Sequence, residues 1–413
     1  MSAIAVSVVV VSRHRPAELA LCLGALALQD HAPLEVVLVA DPGGLAVRPD
    51  LPLKRVPFAA PNISEARNRG IAAAAGPVVA FIDDDAVAEP GWAGSLAAAF
   101  ADPGVIAASG WTRGPHGASW QSRGEAITPQ GPVPLPAPAQ RAGLFRPAGG
   151  TVLSTLGTNC AFRREALAAV GGFDPAFAYH LDESDLNLRL ARCFPEAGSA
   201  LVPEARVTHG TAASERRTAA RVPRDLWQIG RSEAIFARRH GGDAAGALAV
   251  QRRRLIRHML AGRLDPMRVG PLMAGLRAGL AAGAGGPPPP WPEPWTGGDT
   301  EAPPFRPLPT RPREARLLEG WLWQRERLRQ AAAAAAAAGG IITLRLRVPG
   351  RLPLRERFTA AGFWEWTGGT FVAVDDTTVM RKSRPRKNDE HPSDRRNMPC
   401  HGAVPCQSRE SGA

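Results

Sequence analysis

The chain has 413 residues, 45% of them hydrophobic, and a formal net charge of +12. That size allows a large buried core in a main domain with something smaller beside it. The chain holds no stretch of about 18 uninterrupted apolar residues, no leader-like pattern around the opening "AIAVSVVVVS", and five scattered cysteines (Cys22, Cys160, Cys193, Cys400, Cys406) without CxxC spacing. These speak against a membrane span, export, a disulfide framework and a zinc site, and the expectation is a reducing cytoplasm.

The positive charge is unevenly placed. Residues 1–250 hold 23 Lys and Arg against 23 Asp and Glu, whereas residues 251–413 hold 27 against 15. The N-terminal part is therefore neutral, and the excess falls in a C-terminal part rich in arginine.

"IAVSVVVVS" (4–12) is a continuous β-branched run, as expected of a strand covered on both faces. A helix starting at Pro16 follows, with Leu19, Leu23 and Leu26 on one face. "LEVVLVAD" (34–41), "LKRVPF" (53–58) and "GPVVAFIDDD" (76–85) read as further strands, with a helix over 64–75 capped by Ser64. Strands alternating with helices predict a parallel, doubly wound α/β sheet. Residues 112–150 are Pro- and Gly-rich and read as a long functional loop. Residues 158–173 read as a helix stopped by Gly171 and Gly172, 184–194 as an amphipathic helix, and 199–210 as strand and turn. Residues 246–284 read as a helical extension, 285–312 as a Pro-rich linker, 313–374 as a small helical and strand segment, and 375–413 as a disordered tail. Within that segment, "REARLLEGWLWQRERLRQ" (313–330) spaces Leu and Trp as a helix does and reads as a solvated helix.

In open α/β sheets ligands bind at the carboxyl ends of the strands, and Asp41, Asp83, Asp84 and Asp85 all lie at such ends. Three adjacent carboxylates resist burial unless a cation sits among them. Carboxylate oxygens suit Mg²⁺ or Mn²⁺, which leave coordination positions open for substrate phosphates. Neither G-x-G-x-x-G nor GxxxxGK[ST] follows the first strand, which runs into "SRHRP", so phosphates must be held by metal and arginine.

Over residues 4–245 the sequence resembles the family 2 glycosyltransferases. The resemblance is carried by "SVVVVSRHRP", "EVVLVADPGG", "NISEARNRGIAAAAG", "FIDDD", "GTNCAFRREALAAVGGFD" and "HLDESDLNLRL", in that order. It implies a GT-A fold, a doubly wound mixed, mostly parallel sheet with a nucleotide-sugar half (1–110) and an acceptor half (111–245). It also implies Asp41 at the nucleotide base, Ser12, Arg15, Arg67, Asn68, Asp83 and Asp84 as donor contacts, and Asp83, Asp85 and His209 as ligands of Mn²⁺ or Mg²⁺. Thr158, Asn159 and His180 fall on the acceptor side, expected between the 112–150 loop and the acidic helix start.

Sugar transfer needs a base for the acceptor hydroxyl, and "LDESD" supplies Asp182, Glu183 and Asp185. Glu183 occupies the position of the family's base, with Asp182 its rival. The expected reaction is inverting transfer of a sugar from a nucleotide-diphospho-sugar to a hydroxyl of a glycan or lipid-linked acceptor. The alternatives are a sugar-1-phosphate nucleotidyltransferase, or an RNA- or membrane-surface-binding protein using the basic C-terminal part; no nucleic-acid partner is expected, and peripheral membrane contact stays open. Trp92, Trp111 and Cys160 read as core residues.

Overall fold

The computed structural model describes residues 3–210, 212–296 and 303–370. The tail expected to be disordered, with Cys400 and Cys406, lies outside the described residues.

The first half of the main sheet follows from its apolar runs. β1 (Val6–Ser12) is flanked in parallel by β2 (Leu34–Ala40) and β4 (Val78–Asp83), and β3 (Lys54–Pro57) pairs with β2. Val8 and Val10 point into one core, with Leu19, Cys22 and Leu23 of α1 (Pro16–Leu26) and with Trp92 and Leu96 of α4 (Trp92–Ala99). Val9 points into the other, with Ala66 and Ile71 of α3 (Ile63–Ala73). A sheet buried on both faces explains why these strands lack alternation. Asp41 caps the short α2 (Pro42–Leu45), and Asn62 caps α3 by accepting from the Glu65 amide at 3.2 Å. Ser64, expected at that cap, instead lies inside the first turn, and its hydroxyl donates to the Phe177 carbonyl at 2.7 Å.

Beyond β4 come β5 (Ala86–Ala88), β6 (Val105–Arg113), β7 (Trp120–Ser122), β8 (Glu125–Thr128), β9 (Gly131–Pro134), β10 (Gly143–Phe145), β11 (Val152–Leu153) and β12 (Cys160–Arg163). Residues 112–150 are thus not one loop: β7 and β10 extend the main sheet, while β8 and β9 form a small sheet with β11. The helix expected over 158–173 is split in the same way. Cys160–Arg163 is a buried strand lying antiparallel between β4 and β6, and only Arg164–Ala169 (α5) is helical. With α6 (Asp182–Cys193) and β13 (Gly198–His209), the main sheet has the order β10-β13-β6-β12-β4-β1-β2-β3. It is mixed and mostly parallel along its β4-to-β3 half.

Three helices, α7 (Trp227–His240), α8 (Ala245–Leu260) and α9 (Val269–Ala284), share a separate apolar cluster around Leu226, Leu255 and Leu276. The Pro-rich stretch has no regular structure but is not free. Trp295 donates to the Ala168 carbonyl at 2.9 Å, and Leu308, which is buried, donates to the Leu34 carbonyl at 2.7 Å.

The C-terminal part forms a second sheet, β14 (Ala315–Trp321), β15 (Ile341–Val348), β17 (Trp364–Gly369) and β16 (Arg355–Phe358), in that order, with α10 (Arg325–Ala337) on one face. The helix expected over 313–330 is therefore a strand followed by the start of a helix. Leu317 and Leu318 serve opposite faces: Leu317 packs with Trp364 near α1, and Leu318 with Leu344 under α10.

Candidate active site

The carboxyl ends of β1 and β4 open onto a cleft of about 620 Å³. Asp83 ends β4 at its edge, and Asp84 turns inward. Its carboxylate accepts from the Ser12 hydroxyl at 2.7 Å and faces Arg15 Nη1 at 3.0 Å. Burial pushes the Asp84 carboxyl up to about 7, with Arg15 opposing. Asp85 is shifted the other way. Burial favours its neutral form, but the adjacent His209 imidazole and then the Arg15 and Arg217 guanidiniums outweigh burial and hold it well below the usual carboxylate range.

His209 reaches this point because the end of β13 pairs antiparallel with β5, opposite Ala86. Its Nδ1 meets Gln121 Oε1 at 3.1 Å, which fixes the ring. Its Nε2 stands 3.1 Å from Asp85 Oδ1 and 3.7 Å from Asp83 Oδ2. Ligand atoms of Asp83, Asp85 and His209 all lie within 4.8 Å of one another. Asp85 Oδ1 and His209 Nε2 are buried and face each other at 3.1 Å without a well-aligned hydrogen bond, an arrangement that a cation between them would satisfy. Two carboxylates and an imidazole fit Mn²⁺ or Mg²⁺.

Arg67 ties this acidic edge to the second one. The buried guanidinium, projecting from α3, contacts Asp83 at 3.6 Å through Nη2, while Nη1 binds Glu183 at 2.8 Å and also Asp182. The acidic pair opens α6 behind Leu181, whose φ of 64° is unusual for a branched residue and places both carboxylates toward Arg67. Arg67 splits the two acids. Burial and the neighbouring Glu183 charge push Asp182 well up, against Arg67. Glu183, despite burial, is held below the ordinary carboxylate value by Arg67. The three carboxylates in turn overcome the burial that disfavours the Arg67 charge and raise its pKa.

Ser12, Arg15, Arg67, Asp83, Asp84, Asp85, His180, Asp182, Glu183 and His209 thus converge on one cleft. Other expected site residues lie away from it. Asp41 accepts from the Gly44 amide at 2.8 Å and from the His14 amide at 3.1 Å, behind the cleft wall. The Asn68 side chain brackets the Phe173 backbone, donating at 2.7 Å and accepting at 2.8 Å. Asp185 is fully buried against Arg189 at 2.7 Å and His240 at 3.0 Å, so it anchors α6 rather than facing a substrate. Asn159 braces the core by accepting from Trp92 Nε1 at 2.8 Å and donating to the Trp111 and Ala205 carbonyls, and Thr158 is buried beside it.

None of residues 112–150 lines the cleft; its far wall comes from Tyr179, Arg216, Arg217, Gln251 and Arg254. Sequence reasoning passed over Tyr179, which stands just outside the acidic motif, and over the other four because they are distant in the chain and carry no motif. It also passed over Gly157, where a Cβ would lie 1.9 Å from Glu183 Oε1 and 2.1 Å from Arg67 Nη2. Gly157 opens the "GTNCAFRREALAAVGGFD" motif, and a glycine at that place was the signal available.

Residues 7–171 match the family described as glycosyl transferase family 2. This stretch is a family 2 glycosyltransferase domain. Over 113 residues the chain is 34% identical to a glucosyl-dolichyl phosphate glucuronosyltransferase of Haloferax volcanii, covering 27% of this chain and 34% of the relative. The chain therefore spans about a third of the length of that curated relative. Solved structures similar to the chain include S. aureus TarS, at 18% identity and a TM-score of 0.41, covering 62% of this chain and 43% of that one. They also include the mannosyltransferase PcManGT from Pyrobaculum calidifontis in complex with GDP-Man and Mn²⁺, at 19% identity and a TM-score of 0.38, covering 67% and 86%. At such scores the family assignment of the glycosyltransferase domain rests on the sequence match.

Proposed function

We propose that the chain is an inverting, metal-dependent glycosyltransferase that moves a sugar from a nucleotide-diphospho-sugar to a hydroxyl of a glycan or lipid-linked acceptor. The observation that carries this reading is Arg67, whose single guanidinium spans the Asp83 edge and the Asp182–Glu183 pair. The acids suited to a cation and the acids suited to proton transfer therefore face one space. The Haloferax relative's name, a glucuronosyltransferase, supports sugar transfer as well.

Asp83, Asp85 and His209 would hold Mn²⁺ or Mg²⁺, which when bound stabilises charge on a departing diphosphate. Glu183 is kept ionised by Arg67 and takes the acceptor proton; Asp182, pushed toward its neutral form, fixes Arg67 in place. Asp84 and Arg15 hold the loop after β1 against the donor side. No glycine stands in "SRHRP", which disfavours a nucleotidyltransferase. In the C-terminal sheet Arg329 and Arg357 bind Glu365, and Arg345 and Arg347 bind Glu319, so part of the positive charge is already matched, which disfavours a surface built for anionic polymers. Among the described residues no helix is long and apolar enough to cross a membrane.

Two measurements test the reading. UDP-, GDP-, CDP- and dTDP-sugars are each added with and without Mn²⁺, and one donor should raise the melting temperature only with the metal. Glu183→Gln should then reduce transfer by about 10²-fold or more while leaving that shift intact, and Asp182→Asn should retain more turnover. A Glu183→Gln enzyme that keeps most of its turnover rules out the assigned base.

A further inference from the structure

The cleft has a second wall that the transfer chemistry leaves unused. Tyr179 is the chain's single tyrosine and precedes Asp182 closely, and the Arg216 guanidinium lies over its ring at 4.5 Å. Arg254 and Gln251 reach the same wall from α8. Arg254 is steadied by Gln251 Oε1 at 3.4 Å and the Arg221 carbonyl at 3.2 Å, and Arg216 by the Pro61 carbonyl at 3.0 Å.

What sets these two cations apart is their pairing. Arg13, Arg15, Arg67 and Arg217 in the same cleft each face a carboxylate. Arg216 and Arg254 face none among the ion pairs of the described residues. Both are half-buried, and burial lowers the pKa of each. Two guanidiniums drawn from different elements, partly desolvated and hydrogen-bonded only to neutral groups, with Glu215 and Asp225 near Arg216 but not paired with it, make a site for a doubly charged oxyanion. The consecutive residues Arg216 and Arg217 diverge: Arg217 reaches Asp85 at 3.5 Å, on the candidate metal side, whereas Arg216 stacks on Tyr179, which stands shortly before Asp182 and Glu183 in the chain. Arg216, Gln251 and Arg254 also fall outside residues 7–171, so the wall is built by chain beyond the family match.

We propose that Arg216 and Arg254, framed by Tyr179 and Gln251, bind a phosphate group carried by the acceptor. The word acceptor rests on the sugar-transfer reading; the phosphate site itself does not. The test is calorimetric titration of the full chain, without nucleotide or metal, using hexyl phosphate, inorganic phosphate and hexanol. Hexyl phosphate should bind, inorganic phosphate more weakly, and hexanol not at all. Arg216→Gln and Arg254→Gln should each weaken the ester about tenfold or more, the loss of one charge-assisted contact, and Arg254→Lys should recover part of it. Arg345→Gln, a charge change in the C-terminal sheet outside the cleft, should leave this binding unchanged.

Equal affinity in Arg216→Gln, Arg254→Gln and wild type would overturn the site, as would an equal loss of binding in Arg345→Gln. Inorganic phosphate binding as tightly as the ester would overturn its assignment to an acceptor. Metal-dependent donor binding is followed in the same variants. Its absence from the wild type would defeat the transfer reading alone, and its retention in Arg254→Gln separates the two sites.

Discussion

Arg67 is buried among Asp83, Asp182 and Glu183, and removing it would leave carboxylates without their cation. Such a loss costs about 3 kcal/mol or more at neutral pH. Glu183, depressed in the folded state, contributes stability above its unfolded pKa that disappears as pH falls through the lower folded value. Asp182 has the opposite sign, since its raised pKa makes ionisation costly as pH climbs past the unfolded value. Without Arg67 both acids shift up, and both then penalise the folded state at high pH. Arg67→Ala should therefore lag the wild type in urea unfolding least near pH 4 and progressively more toward pH 7.5, with chelator present throughout. A stability gap that does not change with pH would show that the guanidinium contributes packing rather than charge.

At the level of elements, legibility in the sequence tracked burial pattern. β1, β2 and β4 were readable because strands covered on both faces become unbroken apolar runs. β12 was not, since Cys160–Arg163 is only 4 residues long and runs directly into α5, and its antiparallel place is set by partners such as Phe81 across the sheet. β14 was misread because Leu317 and Leu318 fit either period until two layers are present. Of the candidate site, the acids sat in recognisable motifs, whereas the wall of Tyr179, Arg216 and Arg254 is assembled only by folding. Gly157 shows what such an element contributes, as the turn before β12 passes against the Arg67–Glu183 contact. Gly157→Ala should push the two side chains apart, reducing transfer about tenfold or more at a stability cost of about 1–3 kcal/mol. Gly91→Ala, whose added methyl meets nothing within 4 Å, is the control. Unimpaired transfer in Gly157→Ala would mean that the Arg67–Glu183 geometry is not needed.

At the scale of the whole molecule, α1 is shared between two cores. Leu19, Cys22 and Leu23 pack under the main sheet, while Ala25, with Leu21 and Leu28 beside it, packs against Ile341, Phe358 and Trp364 of the C-terminal sheet. The stretch between the parts is pinned as well. Glu35, fully buried in β2, accepts from the Ser7 hydroxyl at 2.6 Å, the Ala75 amide at 2.7 Å and the Arg306 amide at 2.8 Å, and pairs with Lys54 at 2.9 Å. A buried carboxylate with that many partners joins chain segments far apart in sequence. Two parts that share a helix and a buried node should unfold as one cooperative unit. Trp364→Ala removes a fully buried ring at the shared helix and should cost about 3–5 kcal/mol, lowering a single melting transition by about 4–6 °C. α1 begins directly after Arg15, which faces Asp84 in the cleft, so the same substitution should weaken metal-dependent donor binding as the helix loosens. Scanning calorimetry decides the matter: two separable transitions, with only the weaker one moved by Trp364→Ala, would mean that the C-terminal sheet folds apart from the catalytic domain.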